Sequence, residues 1–99
     1  MAQLTILYWR DIPSQVIVKQ GRLSAKRELP RRFIEAIDAC AMRGGASETD
    51  AYLADWRRAE PVACGEELEA EAESAATRLE AEYNRARLAA LVASGGREA

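Results

Sequence analysis

An α+β domain is predicted by two short strand-like runs at the N-terminus and by two amphipathic helical patterns that follow them. Leu4–Trp9 is rich in β-branched and aromatic residues and too short for an amphipathic helix, so it reads as a strand. Arg10-Asp11-Ile12-Pro13-Ser14 interrupts it. Gln15–Gln20 reads as a second strand ended by Gly21, and an antiparallel hairpin is the simplest pairing across so short a connection. Two strands alone are marginal, so helices are expected to cover one face of the hairpin.

The first helix is expected to start near Pro30, because the missing N–H of proline has no intrahelical partner at the first helical position. Phe33, Ile37, Cys40 and Ala41 then fall on one face, with Ile34 beside them, and Gly44-Gly45 ends the helix. Ser47-Glu48-Thr49-Asp50 resembles a capping box with aspartate in the last place. It opens a second short helix whose inward side is Tyr52, Leu53 and Trp56.

Glu60–Gly65 is a connector, and Pro61 limits it to an edge strand if it pairs at all. One long helix is expected from about Glu66 to Val92, with Leu68, Ala72, Ala75, Leu79, Tyr83, Ala86 and Ala90 on one face. Its early glutamates and late arginines suit the helix dipole. That stripe is narrow and alanine-rich, which admits close approach of another backbone and makes this C-terminal helix the expected seat of any homo-oligomer. The expected architecture is thus an N-terminal antiparallel β-hairpin, with a third edge strand at most, packed against two short helices and one long C-terminal helix. A single domain spans 1–93, and residues 94–99 are expected to fray.

Composition narrows the chemistry. The chain has 99 residues, 48% of them apolar and 30% charged, which is a globular balance. It has no histidine, and its two cysteines, Cys40 and Cys64, are too far apart for a CxxC pair. No P-loop, GxSxG, HExxH or GxGxxG pattern occurs, and the glutamates of the long helix alternate around it and face water. The expectation is a chain that is not an enzyme by itself and holds no metal or cofactor. The opening residues lack a secretory-signal pattern and no apolar run approaches the ~20 residues that a membrane span needs, so a cytoplasmic location and no membrane role are expected.

Charge is unevenly placed. Met1–Arg43 carries eight basic and four acidic residues, whereas Gly44–Ala99 carries six basic and twelve acidic ones. Each end could steer a partner of opposite sign. The basic excess gathers at Arg22, Lys26, Arg31 and Arg32. Arg31 and Arg32 fall in a helical first turn, where the backbone N–H groups already make a positive end. A bound anion would resolve that conflict through free N–H groups and guanidinium forks; pairing with Glu28 and Glu35, or exposure to solvent, would resolve it as well. Trp9-Arg10-Asp11 at the hairpin turn is the second candidate cluster. Exposed, Trp9 and Arg10 would be interface anchors; buried, Trp9 is core and Arg10 with Asp11 stabilises the turn. The candidate partner-binding set is therefore Trp9, Arg10, Asp11, Arg22, Lys26, Arg31 and Arg32. A nucleic-acid partner is disfavoured by the acidic balance and by the lack of an aromatic platform in the basic segment.

The run Ile6–Val16, followed by Gly21-Arg22, Ala25-Lys26, Leu29-Pro30, Phe33, Ala36-Ile37-Asp38, Ala41–Gly44 and Asp50–Arg58, resembles a small bacterial family labelled "virulence factor" domain. The likeness covers nearly the whole chain. The resemblance implies no activity that transfers residue by residue. It implies an accessory role, since similar domains are appended to larger proteins and occur near folate and corrinoid one-carbon enzymes. The expected function is a non-catalytic accessory or protein-interaction subunit that binds an anionic ligand or an acidic partner surface, such as a one-carbon enzyme.

Overall fold

The computed structural model describes residues 2–43 and 49–97. In chain order it contains β1 (Gln3–Trp9), β2 (Ile12–Gln20), β3 (Leu23–Glu28), α1 (Arg31–Arg43), α2 (Thr49–Ala54), β4 (Trp56–Arg58), β5 (Val62–Ala63), α3 (Leu68–Glu82) and α4 (Arg85–Ala93). The strands form one antiparallel sheet in the order β3-β2-β1-β4, with β5 also paired to β1. The fold is α+β, as expected, with more strand than the hairpin alone.

The β1–β2 turn is tighter than the interrupted sequence predicts. β2 already starts at Ile12, leaving Arg10 and Asp11 between the strands, with Arg10 at φ 55°. Pro13 fits in this inner strand because the register shifts between Leu7 and Tyr8, which pair with Gln15 and Pro13 and leave Ser14 as an extra residue. A bulge is where a sheet tolerates a missing N–H. Ser14 uses its carbonyl to accept from the Leu29 backbone N–H at 3.0 Å, fixing the exit from β3. The β2–β3 turn rests on Gly21 at φ 60°, a conformation that costs glycine nothing.

Successive strand residues point to opposite faces and directly paired residues share a face, so the register sorts the side chains. Leu4, Val16, Val18 and Ala25 lie on one face and are buried. α3 packs over β2 and β3 on that side, and its Ala72, Ala75, Ala76 and Leu79 are buried against it. Small residues bring this helix close to the sheet, and each fully buried aliphatic side chain beneath it contributes about 1.5–3 kcal/mol. α1 buries Phe33, Ala36, Ile37, Cys40 and Ala41, a spacing that is one helical stripe, and packs against β2 and α4.

Two helical expectations need correction. The long helix is two helices: Tyr83 (φ −105°, ψ 69°) and Asn84 (φ −70°, ψ 176°) leave helical geometry, and the Asn84 side chain caps α4 by accepting from the Arg87 N–H at 2.9 Å. The break rephases the apolar stripe, so that Leu88 and Leu91 are buried while Ala86 and Ala90 are exposed. The second short helix stops at Ala54, and Trp56 stands in β4 opposite Trp9. Strand pairing wins there because it satisfies the edge of β1, with further bonds from Arg10 N–H to the Asp55 carbonyl and from Ala59 N–H to the Ile6 carbonyl, both 3.0 Å. The edge strand expected within Glu60–Gly65 is β5. Gly44-Gly45 and the Ser47-Glu48 part of the capping pattern lie outside the described residues.

The fraying expected from Ser94 does not extend to the described part of the tail. Gly96 is buried, its N–H donates to the Leu91 carbonyl at 2.7 Å, and its own carbonyl accepts from the Asp11 N–H at 2.8 Å. The C-terminal turn is thereby sewn to the β1–β2 turn.

Candidate functional site

The face of the sheet away from α3 carries Thr5 and Leu7 from β1, Gln15, Ile17 and Lys19 from β2, and Ser24, Lys26 and Glu28 from β3. Arg58 joins them by pairing with Leu7. Thr5, Leu7 and Ile17 are half-buried; Lys19, Lys26, Glu28 and Arg58 are exposed around them. This half-apolar centre is ringed by three cations and one carboxylate. At its lower end Trp9 follows Leu7 on the same side, but α2 closes over it. The Trp9 Nε1–H donates to the Tyr52 carbonyl at 2.8 Å, and the two rings stand 5.8 Å apart.

Where the open face meets α1, a cleft of about 590 Å3 is lined by Leu7, Gln15, Glu28, Arg31, Ile34 and Trp56, with Ser14 and Leu29 at its back. The same alternation that opens the face puts Trp56, two residues before Arg58, on the cleft side. Arg31 reaches it from the first turn of α1, which contains no acidic residue to oppose the helix dipole.

The seven residues anticipated as a partner-binding set divide sharply. Trp9 is fully buried. Arg10 lies over it at 4.5 Å, donates from Nε to Asp55 Oδ2 at 3.0 Å, and from Nη1 to the Gly95 carbonyl at 2.7 Å. Asp11 accepts from Arg57 Nη2 at 3.2 Å. Arg32 is directed inward, with its guanidinium 4.9 Å from the Phe33 ring and Nη2 donating to the Glu80 carbonyl at 2.9 Å. These four hold the fold together. Arg22 is exposed at the β2–β3 turn, Lys26 stands on the open sheet face, and Arg31 lines the cleft. Arg22, Lys26 and Arg31 form no side-chain ion pair among the described residues, and neither do Lys19 and Arg58.

Two further cations near the sheet are internally matched. Arg27, on the α3 side, pairs with Glu69 at 2.6 Å, and Arg57 lies 4.6 Å over the Tyr8 ring. Lys19, Lys26, Arg31 and Arg58 are the unpaired cations around the open face, while Arg43, Arg78 and Arg85, also without a side-chain ion pair among the described residues, are exposed on α1, α3 and α4. Leu7, Ile34, Trp56 and Arg58 lie outside the anticipated set; pairing register brings Leu7, Trp56 and Arg58 together, and Ile34 joins them from α1.

Three groups have shifted proton affinity. Burial raises the Tyr8 hydroxyl above its ordinary value, opposed by Arg57. Burial raises Tyr52, with Asp38 adding to the effect, and burial together with Glu71 raises the Cys64 thiol. They belong to β1, α2 and the connector before α3, and do not converge in the cleft. Among the described residues no group of three or more Cys, Asp or Glu side chains could hold a metal ion, and no helix is long and apolar enough to cross a membrane.

No curated protein and no solved structure matches the chain. A family model described as "Virulence factor" matches residues 7–92, a span that runs from the open face of β1 through the cleft to the penultimate residue of α4. The chain belongs to the virulence factor family.

Proposed function

We propose that this chain is a non-catalytic, cytoplasmic accessory subunit that holds an acidic protein surface against the open face of its sheet. The observation that carries this reading is the gathering of four unmatched cations around one half-apolar face. Arg10, Arg27, Arg32 and Arg57 are matched by carboxylates or carbonyls within the fold, whereas Lys19, Lys26, Arg31 and Arg58 stand unmatched around Leu7, Ile17 and Trp56. A half-buried apolar centre with a mostly cationic rim, broken by Glu28, is the composition of a protein-recognition patch rather than of a solvated face. A nucleic-acid reading is weaker. An open antiparallel sheet that binds single strands stacks bases on aromatic residues of its central strands, and here those positions are Thr5, Leu7, Gln15 and Ile17. The family resemblance implies an association with folate and corrinoid one-carbon enzymes, which makes such an enzyme the first partner to assay.

Co-purification from the source cells tests the reading. Tagged wild-type chain should retain a partner at low salt and release it as salt screens the contact. A variant with Lys19, Lys26, Arg31 and Arg58 changed to Glu, with its circular dichroism unchanged, should retain none. Equal recovery by the two chains overturns the proposal.

A further inference from the structure

Beyond the cleft, the surface continues as a groove along α1. Arg31, Ile34, Asp38 and Met42 recur every three or four residues and so form one outward stripe. Arg31 and Ile34 line the cleft with Trp56, while Asp38 and Met42 line a second hollow of about 330 Å3 with Tyr52. The Tyr52 and Trp56 rings meet edge to face at 5.8 Å and make one continuous wall opposite α1. From Ile34 to Met42 the floor runs roughly 12 Å, a little over two helical turns.

Two large apolar side chains are left to solvent in this groove, Ile34 at 40% exposure and Met42 at 73%, although the opposite stripe of α1 already supplies its core contacts through Phe33, Ile37 and Cys40. The groove is also charged at both ends. Arg31 stands at the cleft end, whose lining includes the Glu28 carboxylate as well, and Asp38 near the other; neither Arg31 nor Asp38 has an ion-pair partner among the described residues.

We infer that this groove receives an amphipathic helix of a partner protein, lying along α1 with a carboxylate at Arg31 and a cation at Asp38. The inference rests on the reading of the chain as a binding subunit and names the segment that it grips. A helix offering apolar residues at i, i+3 or i+4, and i+7 matches the length between Ile34 and Met42. A polyanion would meet repulsion at Asp38. A second copy of the chain would offer only its own α1 stripe, with two exposed apolar residues, Ile34 and Met42, since α3 and α4 bury Leu79, Leu88 and Leu91. Concentration-dependent shifts of the groove's backbone amide signals in the chain alone would assign the groove to that copy and overturn the inference.

The test titrates the isotopically labelled full chain with synthetic stapled helices of about 14 residues, long enough to span the groove. The first has a leucine stripe with Glu and Lys placed to meet Arg31 and Asp38. The second has Glu and Lys exchanged, and the third replaces the leucines with alanine. An oligothymidylate serves as the polyanion. The first peptide should shift the backbone amide signals of Arg31–Met42, Tyr52 and Trp56, and the other two should bind about tenfold more weakly or worse. The double variant Arg31→Glu with Asp38→Lys should reverse the preference between the first two. Absence of shifts with every peptide, equal binding of the alanine peptide, or tighter binding of the oligonucleotide at these residues overturns the inference. If no peptide binds while the open-face variant still loses its co-purifying partner, the groove inference falls and the open-face reading stands.

Discussion

Arg10 and Asp55 are joined twice. The Arg10 backbone N–H donates to the Asp55 carbonyl at 3.0 Å, and its Nε donates to the Asp55 carboxylate at 3.0 Å. Arg10 then reaches the Gly95 carbonyl with Nη1, so one side chain ties the β1–β2 turn, the exit of α2 and the C-terminal turn. It does so at φ 55°, a conformation that disfavours any residue with a Cβ. The hairpin turn of this protein is therefore a structural clasp, and the proposed recognition surface lies around the corner from it.

That clasp predicts an ordering of variants. The Arg10 and Asp55 side chains are only 17% and 24% exposed, so the charge-assisted bonds are partly shielded from water. Arg10→Ala loses them and keeps the unfavourable φ, and should destabilise by about 2 kcal/mol. Arg10→Gly loses the same bonds but relieves the backbone, and should recover about 1 kcal/mol of that loss. Urea unfolding of the two variants checks the order; a glycine variant less stable than the alanine one would refute the backbone part of the account.

The two glycines of the C-terminal turn separate strain from crowding. Both have positive φ, 77° at Gly95 and 82° at Gly96. A Cβ on Gly95 would meet no atom within 4 Å, whereas one on Gly96 would lie 3.1 Å from both Arg10 Cδ and Cys40 Sγ. Gly95→Ala should cost about 1 kcal/mol from conformation alone. Gly96→Ala should cost about 2 kcal/mol or more, since the neighbours it displaces belong to the clasp and to the buried face of α1. Thermal unfolding of both variants measures the difference.

β1, most of β2 and α1 were legible because each has an apolar pattern at one period, and Pro61 limited the Glu60–Gly65 connector to an edge, where β5 pairs with β1. β3 was not. Leu23–Glu28 has a single buried side chain, Ala25, and its charged residues show no apolar alternation; only pairing with β2 puts Lys26 and Glu28 on one face and Arg27 on the other. Trp56 sits four residues after Tyr52, a helical spacing that conceals a strand partner of Trp9. The site was half legible for a similar reason. Arg31 stood out because its charge opposes the helix dipole, and it lines the cleft. Arg32 carries the same signal, but its partners are backbone carbonyls of Glu80 and Tyr83, which a sequence cannot display as acceptors.

The break between α3 and α4 gives a third prediction. Asn84 is the residue that starts α4, and its carboxamide oxygen satisfies the Arg87 N–H. Asn84→Ala removes that cap and should destabilise the protein by about 1 kcal/mol, while Asn84→Asp should retain most of the stability. Hydrogen exchange provides a local readout: the first turn of α4 should lose protection in the alanine variant, and unchanged protection there would mean that packing of Leu88 and Leu91 alone sets where the helix begins.

Stability should fall at alkaline pH, and Tyr8 should be one cause. Its hydroxyl is held above the ordinary tyrosine value chiefly by burial, with Arg57, whose guanidinium lies over the ring, opposing the rise. A group that holds its proton more tightly when folded stabilises the fold fully below the unfolded pKa of about 10. As pH rises past that value the unfolded chain releases the proton first, and the contribution disappears as pH passes through the higher folded value. Tyr52, raised by burial and by Asp38, acts in the same direction. Urea midpoints followed from about pH 8 to pH 11 should therefore stay level at first and then drop, through the range where tyrosine ionises. Tyr8→Phe cannot ionise at this position, so its midpoint should drop less steeply than that of the wild type over the same range. Parallel curves would show that the Tyr8 proton is held no more tightly in the folded chain than in the unfolded one.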